Sequence, residues 1–151
     1  MQKAGSENRK PMAQDCIFCK IISGDIPSEK VYEDEKTLAF LDINPVQSGH
    51  TLVIPKEHFR NVFDITNTAW EEMMETVRKV AGGVKIATNA DAVNIMLNNE
   101  PASGQLVYHA HAHVIPRFSG DGLKLWPQHP YPEGEAKKVG EKIREALDPL
   151  L

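Results

Sequence analysis

The chain of 151 residues has only two cysteines, Cys16 and Cys19, and they stand in a Cys-x-x-Cys pair. So few cysteines exclude a scaffold of several disulfides and favour a reducing compartment, so we expect a cytoplasmic protein. The pair is half of a zinc-site pattern. A redox role is less favoured, because no thioredoxin-like βαβ pattern surrounds the two residues.

Long apolar runs are also missing. No run approaches the roughly 20 residues that a membrane span needs, and the first 15 residues hold no apolar segment of the kind found in secretory signals. Positive charge is not in excess either, because 17 Lys and Arg residues face 21 Asp and Glu residues, for a net charge of −4. We therefore expect neither nucleic acid nor a membrane as a partner, although one small anion would need only a few local donors.

The length suits one domain, and 41% hydrophobic residues can fill an ordinary core. Residues 1–14 are polar and lack periodicity, which predicts a disordered amino-terminal extension. Residues 15–151 are predicted to form a single domain. The chain contains neither an internal repeat nor a low-complexity tract.

Apolar periodicity and turn residues predict helices alternating irregularly with strands. Thr68 and Glu71 have the spacing of a capping box, so a long helix is expected to begin there. Helices are expected at 17–22, from 68 to about 88 and at 135–147, and strands at 31–32, 37–41, 50–54 and 92–97.

Three histidines alternate with alanines in the run His109-Ala110-His111-Ala112-His113. A strand would place the three imidazoles in a row on one face. The opposite, buried face would then carry Leu106, Tyr108, Ala110, Ala112 and Val114. Histidine is a nucleophile and a metal ligand, so the row indicates phosphate chemistry or metal binding.

Four ordered blocks, which together span residues 16 to 118, extend this motif: CIFCKII at 16–22, FLDINP at 40–45, GHTLVIPKEH at 49–58 and GQLVYHAHAHVIPR at 104–117. They resemble the histidine-triad (HIT) family. The resemblance implies an α+β, HIT-like fold with a five-stranded, mainly antiparallel sheet, a long helix and a carboxyl-terminal helix. It also implies a homodimer in which the sheet continues across a two-fold axis.

The same resemblance implies a nucleotide hydrolase or transferase that acts on the α-phosphate of adenosine nucleotides. His111 would be the nucleophile and would form a nucleotidyl-histidine intermediate. His113 would contact the phosphate and help to handle protons, while His109 would orient its neighbour or bind metal. The Gln105 amide and a nest of backbone N–H groups at residues 103–105 are expected to hold the developing negative charge.

The nucleoside contacts implied by the resemblance are Asp42 at the ribose, Ile43 over the base, Gly104, and Asn99 in preference to Asn98. The partner is therefore AMP or an adenosine-nucleotide conjugate, either a purine nucleoside phosphoramidate or a dinucleoside polyphosphate. The Hint branch usually has serine at the position of Leu106, where its hydroxyl assists a leaving amine, so the choice between the two substrates stays open.

Related proteins pair such cysteines with two histidines, which implies a structural zinc site at Cys16, Cys19, His58 and His109, with no organic cofactor. His50 is an alternative to His58. Two other interpretations remain: a zinc-stabilised nucleotide-binding or partner-binding protein with little catalysis, and a metallohydrolase that uses all three triad histidines.

Overall fold

The structure, a computed structural model, describes residues 15–151 in two compact units, one that ends at Asp121 and one from Gly122 to Leu151. The predicted extension at residues 1–14 lies outside the described residues. One domain over residues 15–151 stays a prediction, and we describe each unit by itself.

The first unit is built on one antiparallel five-stranded sheet, which confirms the predicted fold class. The strand order is β1-β2-β3-β5-β4. The strands are β1 (Lys30–Glu33), β2 (Thr37–Leu41), β3 (Thr51–Pro55), β4 (Ala92–Met96) and β5 (Ala112–Arg117). A continuation of the sheet across a homodimer stays a prediction.

The two faces of this sheet carry different layers because alternate residues of a strand point to opposite sides. Helix α1 (Ile17–Ser23) covers one face with Phe18 and Ile21, which pack on Leu38 and Phe40 of β2. Helix α2 (Asn67–Thr88) covers the other face, where Ala39 of β2 belongs to its core. The sheet thus has a short helix on one side and a long helix on the other.

The N-cap of helix α2 lies two residues before Thr68, the residue that the capping box predicted, and the helix begins at Asn67. Its N-cap is Thr66, whose hydroxyl accepts a hydrogen bond from the Ala69 N–H at 3.3 Å. Thr68 therefore lies inside the first turn, and the capping-box prediction is wrong in position. The apolar stripe of the helix is buried at Met73, Val77, Val80 and Val84.

The histidine-bearing strand is shorter than predicted. Strand β5 begins at Ala112, so His109 and His111 precede it, and only His113 lies in a strand. The N–H of Ala110 donates to the Phe59 carbonyl at 2.7 Å. Ala110 is therefore hydrogen-bonded to the segment that follows β3 and not to a strand of the sheet. Leu106 and Tyr108 are correspondingly 89% and 37% exposed instead of buried, which corrects the predicted apolar face.

The second unit contains helix α3 (Glu135–Leu147), at the predicted position, followed by a 3-10 turn at Asp148–Leu150. Within residues 15–151, the helices are too short or too polar to span a bilayer.

Candidate active site and metal centre

A cavity of about 390 Å³ opens on the sheet face that α1 covers. This volume lies within the range typical of small-molecule sites. Most of its wall is apolar, and the polar groups are few. The apolar wall includes Ile17, Phe18, Ile21, Ile26, Phe40 and Leu52, and the polar lining includes Ser28, Asp42, Asn44, His111 and His113.

His111 lines this cavity in a single neutral form. Its Nδ1 lies 2.6 Å from the His109 carbonyl oxygen, which can only accept, so Nδ1 carries the proton and Nε2 carries the lone pair. Burial lowers the pKa of His111 below its usual range, so the ring is neutral at pH 7. The Phe18 ring packs edge-on against it, with centroids 5.1 Å apart. The imidazole is therefore held with its lone pair on Nε2, and its role as a nucleophile stays a prediction.

His113 is fixed by a second histidine, His50. The Val46 N–H donates to His50 Nδ1 at 3.1 Å, so the neutral His50 ring carries its proton on Nε2. That proton faces His113 Nδ1 at 2.9 Å, which leaves the His113 proton on Nε2. Nε2 of His113 is buried and has no hydrogen-bond partner among the described residues. The pair therefore leaves one N–H donor without a protein partner, on a residue that lines the cavity.

Neither ring of this pair is charged at neutral pH. Burial, and then the neighbouring His111 and His50, lower the pKa of His113 to about 4. Burial also lowers the pKa of His50, against the attraction of the Asp42 carboxylate. Sequence reasoning considered His50 only as a metal ligand. A signal in the sequence could have placed His50 beside the triad. His50 is two residues before Leu52, so the two share a face of the predicted strand, and Leu52 pairs with His113 across the sheet.

Asp42 and Ile43 both line the cavity, as predicted for nucleoside contacts. Asp42 Oδ1 accepts the Asn44 N–H at 2.9 Å, the arrangement of an Asx turn, while Oδ2 lies 3.7 Å from His50 Nε2. Ile43 is 84% exposed at the cavity rim. Their roles toward a ligand stay predictions.

Gln105 lies in a loop and is only 2% exposed, and its amide is fully used inside the protein. Nε2 donates to the carbonyls of Arg60 and Val107, at 2.7 and 3.1 Å. Oε1 accepts from Asn61 Nδ2 and from the Glu100 N–H. The amide thus positions the loop before the triad, and its direct contact with a phosphate stays a prediction.

The predicted nest of backbone donors at residues 103–105 does not form in this structure. The N–H groups of Ser103 and Gln105 donate to the Glu100 carbonyl, and that of Gly104 donates to Pro101. A 3-10 turn, Pro101–Ser103, accounts for these bonds. The nest prediction is therefore wrong, although Gly104 does line the cavity.

The two asparagines before this turn have different surroundings. Asn99 Oδ1 accepts the Val62 N–H at 2.9 Å, so this side chain ties two loops together. Asn98 Nδ2 instead lies 3.7 Å from the position that a Cβ on Gly104 would take, which places it next to the cavity lining. Neither asparagine lines the cavity itself, and the predicted contact of Asn99 with a nucleotide stays a prediction.

The four predicted metal ligands come together at the amino-terminal end of α1. The Sγ atoms of Cys16 and Cys19 and the Nδ1 atoms of His58 and His109 form a group with all ligand atoms within 4.8 Å of one another. The separations are 3.4 Å from Cys16 Sγ to His109 Nδ1, 3.4 Å from Cys19 Sγ to His58 Nδ1 and 3.2 Å between the two nitrogens. Tetrahedral zinc with bonds of about 2.3 Å to sulfur and 2.0 Å to nitrogen requires separations of about 3.5 Å between sulfur and nitrogen and about 3.3 Å between the nitrogens. The donor set therefore fits zinc.

His109 is prepared for this role by its other ring nitrogen. Nε2 lies 2.7 Å from the Pro55 carbonyl oxygen and donates to it, so Nδ1 has its lone pair toward the two sulfurs. Burial, and then His58 and His111, lower the pKa of His109 to about 4. Burial and the neighbouring Cys16 raise the pKa of Cys19 to about 12 in the absence of a cation, and a bound cation would favour the thiolate.

The three triad histidines do not converge on one point. His109 belongs to the cysteine group, and His113 belongs to a second group with Asp42 and His50. His111 is in neither of the metal-ligand groups found among the described residues. The interpretation as a metallohydrolase using all three histidines is therefore wrong, and His50 lies too far from the cysteine group to replace His58 in it.

Comparisons with known proteins identify the family of this chain. The family model for the HIT domain matches residues 23–120. Protein hit of Bacillus subtilis is 44% identical over 139 residues, which cover 89% of this chain and 96% of that protein. Adenosine 5′-monophosphoramidase hnt1 of Schizosaccharomyces pombe is 39% identical over 134 residues, which cover 87% of this chain and 98% of that protein.

Solved structures show the same fold. The crystal structure of SMU.412c from Streptococcus mutans is 44% identical, with a TM-score of 0.85 over 97% of this chain and 90% of that one. A Zn-bound histidine triad family protein from Mycobacterium smegmatis is 36% identical, with a TM-score of 0.72 over 92% of this chain and 97% of that one. The chain belongs to the HIT family.

Proposed function

We propose that this protein is a nucleotide hydrolase or transferase that acts on the α-phosphate of adenosine nucleotides through a covalent intermediate on His111. The observation that carries the proposal is the fixed tautomer of His111, whose Nε2 lone pair is available in a cavity wide enough for a nucleotide. A neutral imidazole is a good nucleophile toward phosphorus, and the bond that it forms is easily hydrolysed.

In the first step, His111 Nε2 attacks the α-phosphorus, a P–N bond forms, and the bond to the leaving group breaks. The leaving group takes the bonding electrons, and a leaving amine also takes a proton from solvent water. The Nε2–H of His113 donates to a phosphoryl oxygen and offsets the charge that develops there. In the second step, water attacks the phosphorus and loses a proton to solvent, the P–N bond breaks with its electron pair returning to His111 Nε2, and AMP leaves.

The remaining cavity suits a nucleoside. Asp42 Oδ2 is an acceptor for the ribose hydroxyls, because only Oδ1 is used in the Asx turn. The apolar wall from α1 would pack on the faces of the base, with Ile43 at the rim. The relative named adenosine 5′-monophosphoramidase supports an adenosine nucleotide as the substrate class.

We assign a structural zinc ion to Cys16, Cys19, His58 and His109. The ion would supply a cross-link between α1, the segment after β3 and the triad loop, and it would take no part in the chemistry. The Zn-bound relative supports this assignment. No organic cofactor is expected.

The choice between phosphoramidates and dinucleoside polyphosphates rests on Leu106. This side chain lines the cavity and is 89% exposed, and it has no hydroxyl to assist a leaving amine. Leu106→Ser should therefore raise turnover of an AMP–amine conjugate relative to that of a diadenosine polyphosphate, with no effect on folding.

The test compares His111→Ala, His111→Asn and the exposed His129→Ala as a matched control. Release from a fluorogenic AMP–amine conjugate and from diadenosine polyphosphates should be abolished in both His111 variants and unchanged in the control. Both His111 variants should still bind AMP, measured by calorimetry. Retained turnover in His111→Ala would exclude His111 as the nucleophile.

The second candidate is a zinc-stabilised nucleotide-binding or partner-binding protein, favoured by the fully formed ligand group at α1. It predicts no release from any of these substrates by the unaltered protein, while AMP still raises its melting temperature. A cytoplasmic location and a homodimer also remain predictions, the latter consistent with exposed residues on the edge strand β4.

A further inference from the structure

Ser28 carries a buried hydroxyl that the proposed mechanism does not use. Its Oγ atom is buried and makes no hydrogen bond among the described residues. Ser28 also lines the cavity that contains His111 and His113. A buried hydroxyl without a partner costs free energy, and such a cost is recovered when a ligand supplies the missing partner.

Ser28 lines the cavity together with several apolar residues. Its sequence neighbours Ile26 and Pro27 line the cavity with it, as do Ile17 and Ile21 of α1. Aliphatic side chains of this kind pack on the faces of a flat ring. Because the proposed function assigns the phosphate to the histidines and the ribose to Asp42, the polar edge of such a ring is the part of the nucleotide left for the Ser28 hydroxyl.

We infer that the Ser28 hydroxyl hydrogen-bonds the edge of a purine base and is a specificity-determining residue of the site. The inference rests on the proposed function, because it places the phosphate at His111. A hydroxyl both donates and accepts, so it can pair with a ring nitrogen or with an exocyclic amino group. A ligand that lacks the paired group leaves the hydroxyl buried and unsatisfied, which is the basis of discrimination in polar sites.

The experiment measures dissociation constants by calorimetry for the full-length protein, for Ser28→Ala and for Ser23→Ala. Ser23 is exposed at the end of α1 and serves as a matched control. The ligands are AMP, its 1-, 3- and 7-deaza analogues, purine riboside 5′-monophosphate, and ribose 5-phosphate, which has no base.

Ser28→Ala should weaken AMP binding by about threefold to tenfold, the size of one hydrogen bond, and Ser23→Ala should not. One analogue, which lacks the paired group, should bind the unaltered protein more weakly than AMP does, yet bind Ser28→Ala as well as AMP does. Ribose 5-phosphate should not distinguish the proteins.

Equal AMP affinity of the unaltered protein and Ser28→Ala would overturn the inference while leaving the proposed function intact. The inference would also be overturned if each analogue bound more weakly than AMP by the same factor in the unaltered protein and in Ser28→Ala. The effect of the analogue and the effect of the substitution would then be independent. Failure of AMP to bind the unaltered protein would overturn the proposed function and this inference with it.

Discussion

The backbone carbonyl of His109 accepts the Nδ1–H of His111 at 2.6 Å, so one residue of the proposed zinc site also sets the tautomer of the proposed nucleophile. The His109 ring is fixed in turn by Pro55 and by the cysteine group. Phe18, two residues from Cys16, packs on both rings. The metal centre and the cavity are therefore linked through the His109 carbonyl and the Phe18 ring, although none of the four proposed ligands lines the cavity.

Removal of the metal should consequently weaken nucleotide binding as well as folding. We expect Cys19→Ser, or prolonged chelation, to lower the melting temperature and to weaken AMP binding by at least tenfold, the typical effect of losing an outer support of a site. Metal content by mass spectrometry, melting temperature and the AMP dissociation constant should change together.

Ser23→Ala, which removes a side-chain cap of α1 away from the ligand group, serves as the control and should retain its metal. AMP affinity that stays unchanged after complete metal loss would contradict the coupling between the two sites.

His50 is predicted to be a positioning residue for His113, because the bond from its Nε2–H to His113 Nδ1 keeps the His113 proton on Nε2. His50→Ala should lower kcat by about tenfold to a hundredfold, with a smaller effect on KM. His50→Gln should recover much of the loss, because an amide can accept from Val46 and donate to His113.

A merely structural role for His50 predicts a different pattern. Both substitutions would then lower the melting temperature equally, and the glutamine would not rescue kcat. That result would remove the proposed link between His50 and His113.

The sequence was sufficient to predict the elements that depend on local signals. Strand β2 and helix α3 have the predicted bounds, because turn residues and periodicity delimit them. The four metal ligands also come together as the family resemblance implied. The sequence did not predict the structure at positions where a hydrogen bond to a residue distant in sequence overrides the local preference for a strand or a turn.

The triad strand is the clearest example. Alternation of His and Ala predicts strand through residue 109, but the Phe59 carbonyl takes the Ala110 N–H, so the sheet ladder stops at Ala112. The roles of Gln105 and Asn99 differ for the same reason, since their partners Arg60 and Val62 are distant in sequence. Pattern reasoning gives residue types on a face, but it does not give long-range hydrogen-bond partners.

Stability should fall in mild acid because His113 resists protonation in the folded state. Its pKa is about 4 in the folded protein, mainly through burial, against about 6.5 in an unfolded chain. Between these values the unfolded chain binds a proton that the folded protein does not, so the free energy of unfolding decreases as the pH falls from about 6.5 towards 4. His113→Gln should make this dependence shallower by about one proton, measured by urea unfolding at several pH values. An unchanged slope would contradict the assignment.

Glu100 has φ 76° and ψ 161°, a backbone region that is almost exclusive to glycine. Its carboxylate is held by Arg60 through bonds of 2.7 to 3.1 Å, and its N–H by Gln105. Glu100→Ala keeps the strain and loses the ion pair, whereas Glu100→Gly loses the ion pair and relieves the strain. We expect the glycine variant to be more stable than the alanine variant by about 1–3 kcal/mol in urea unfolding.

The control is the same pair of substitutions at Glu71, an exposed residue inside a helix. Here Glu71→Gly should be less stable than Glu71→Ala by about 1 kcal/mol, the reverse order. The same order at both positions would show that residue 100 carries no backbone strain.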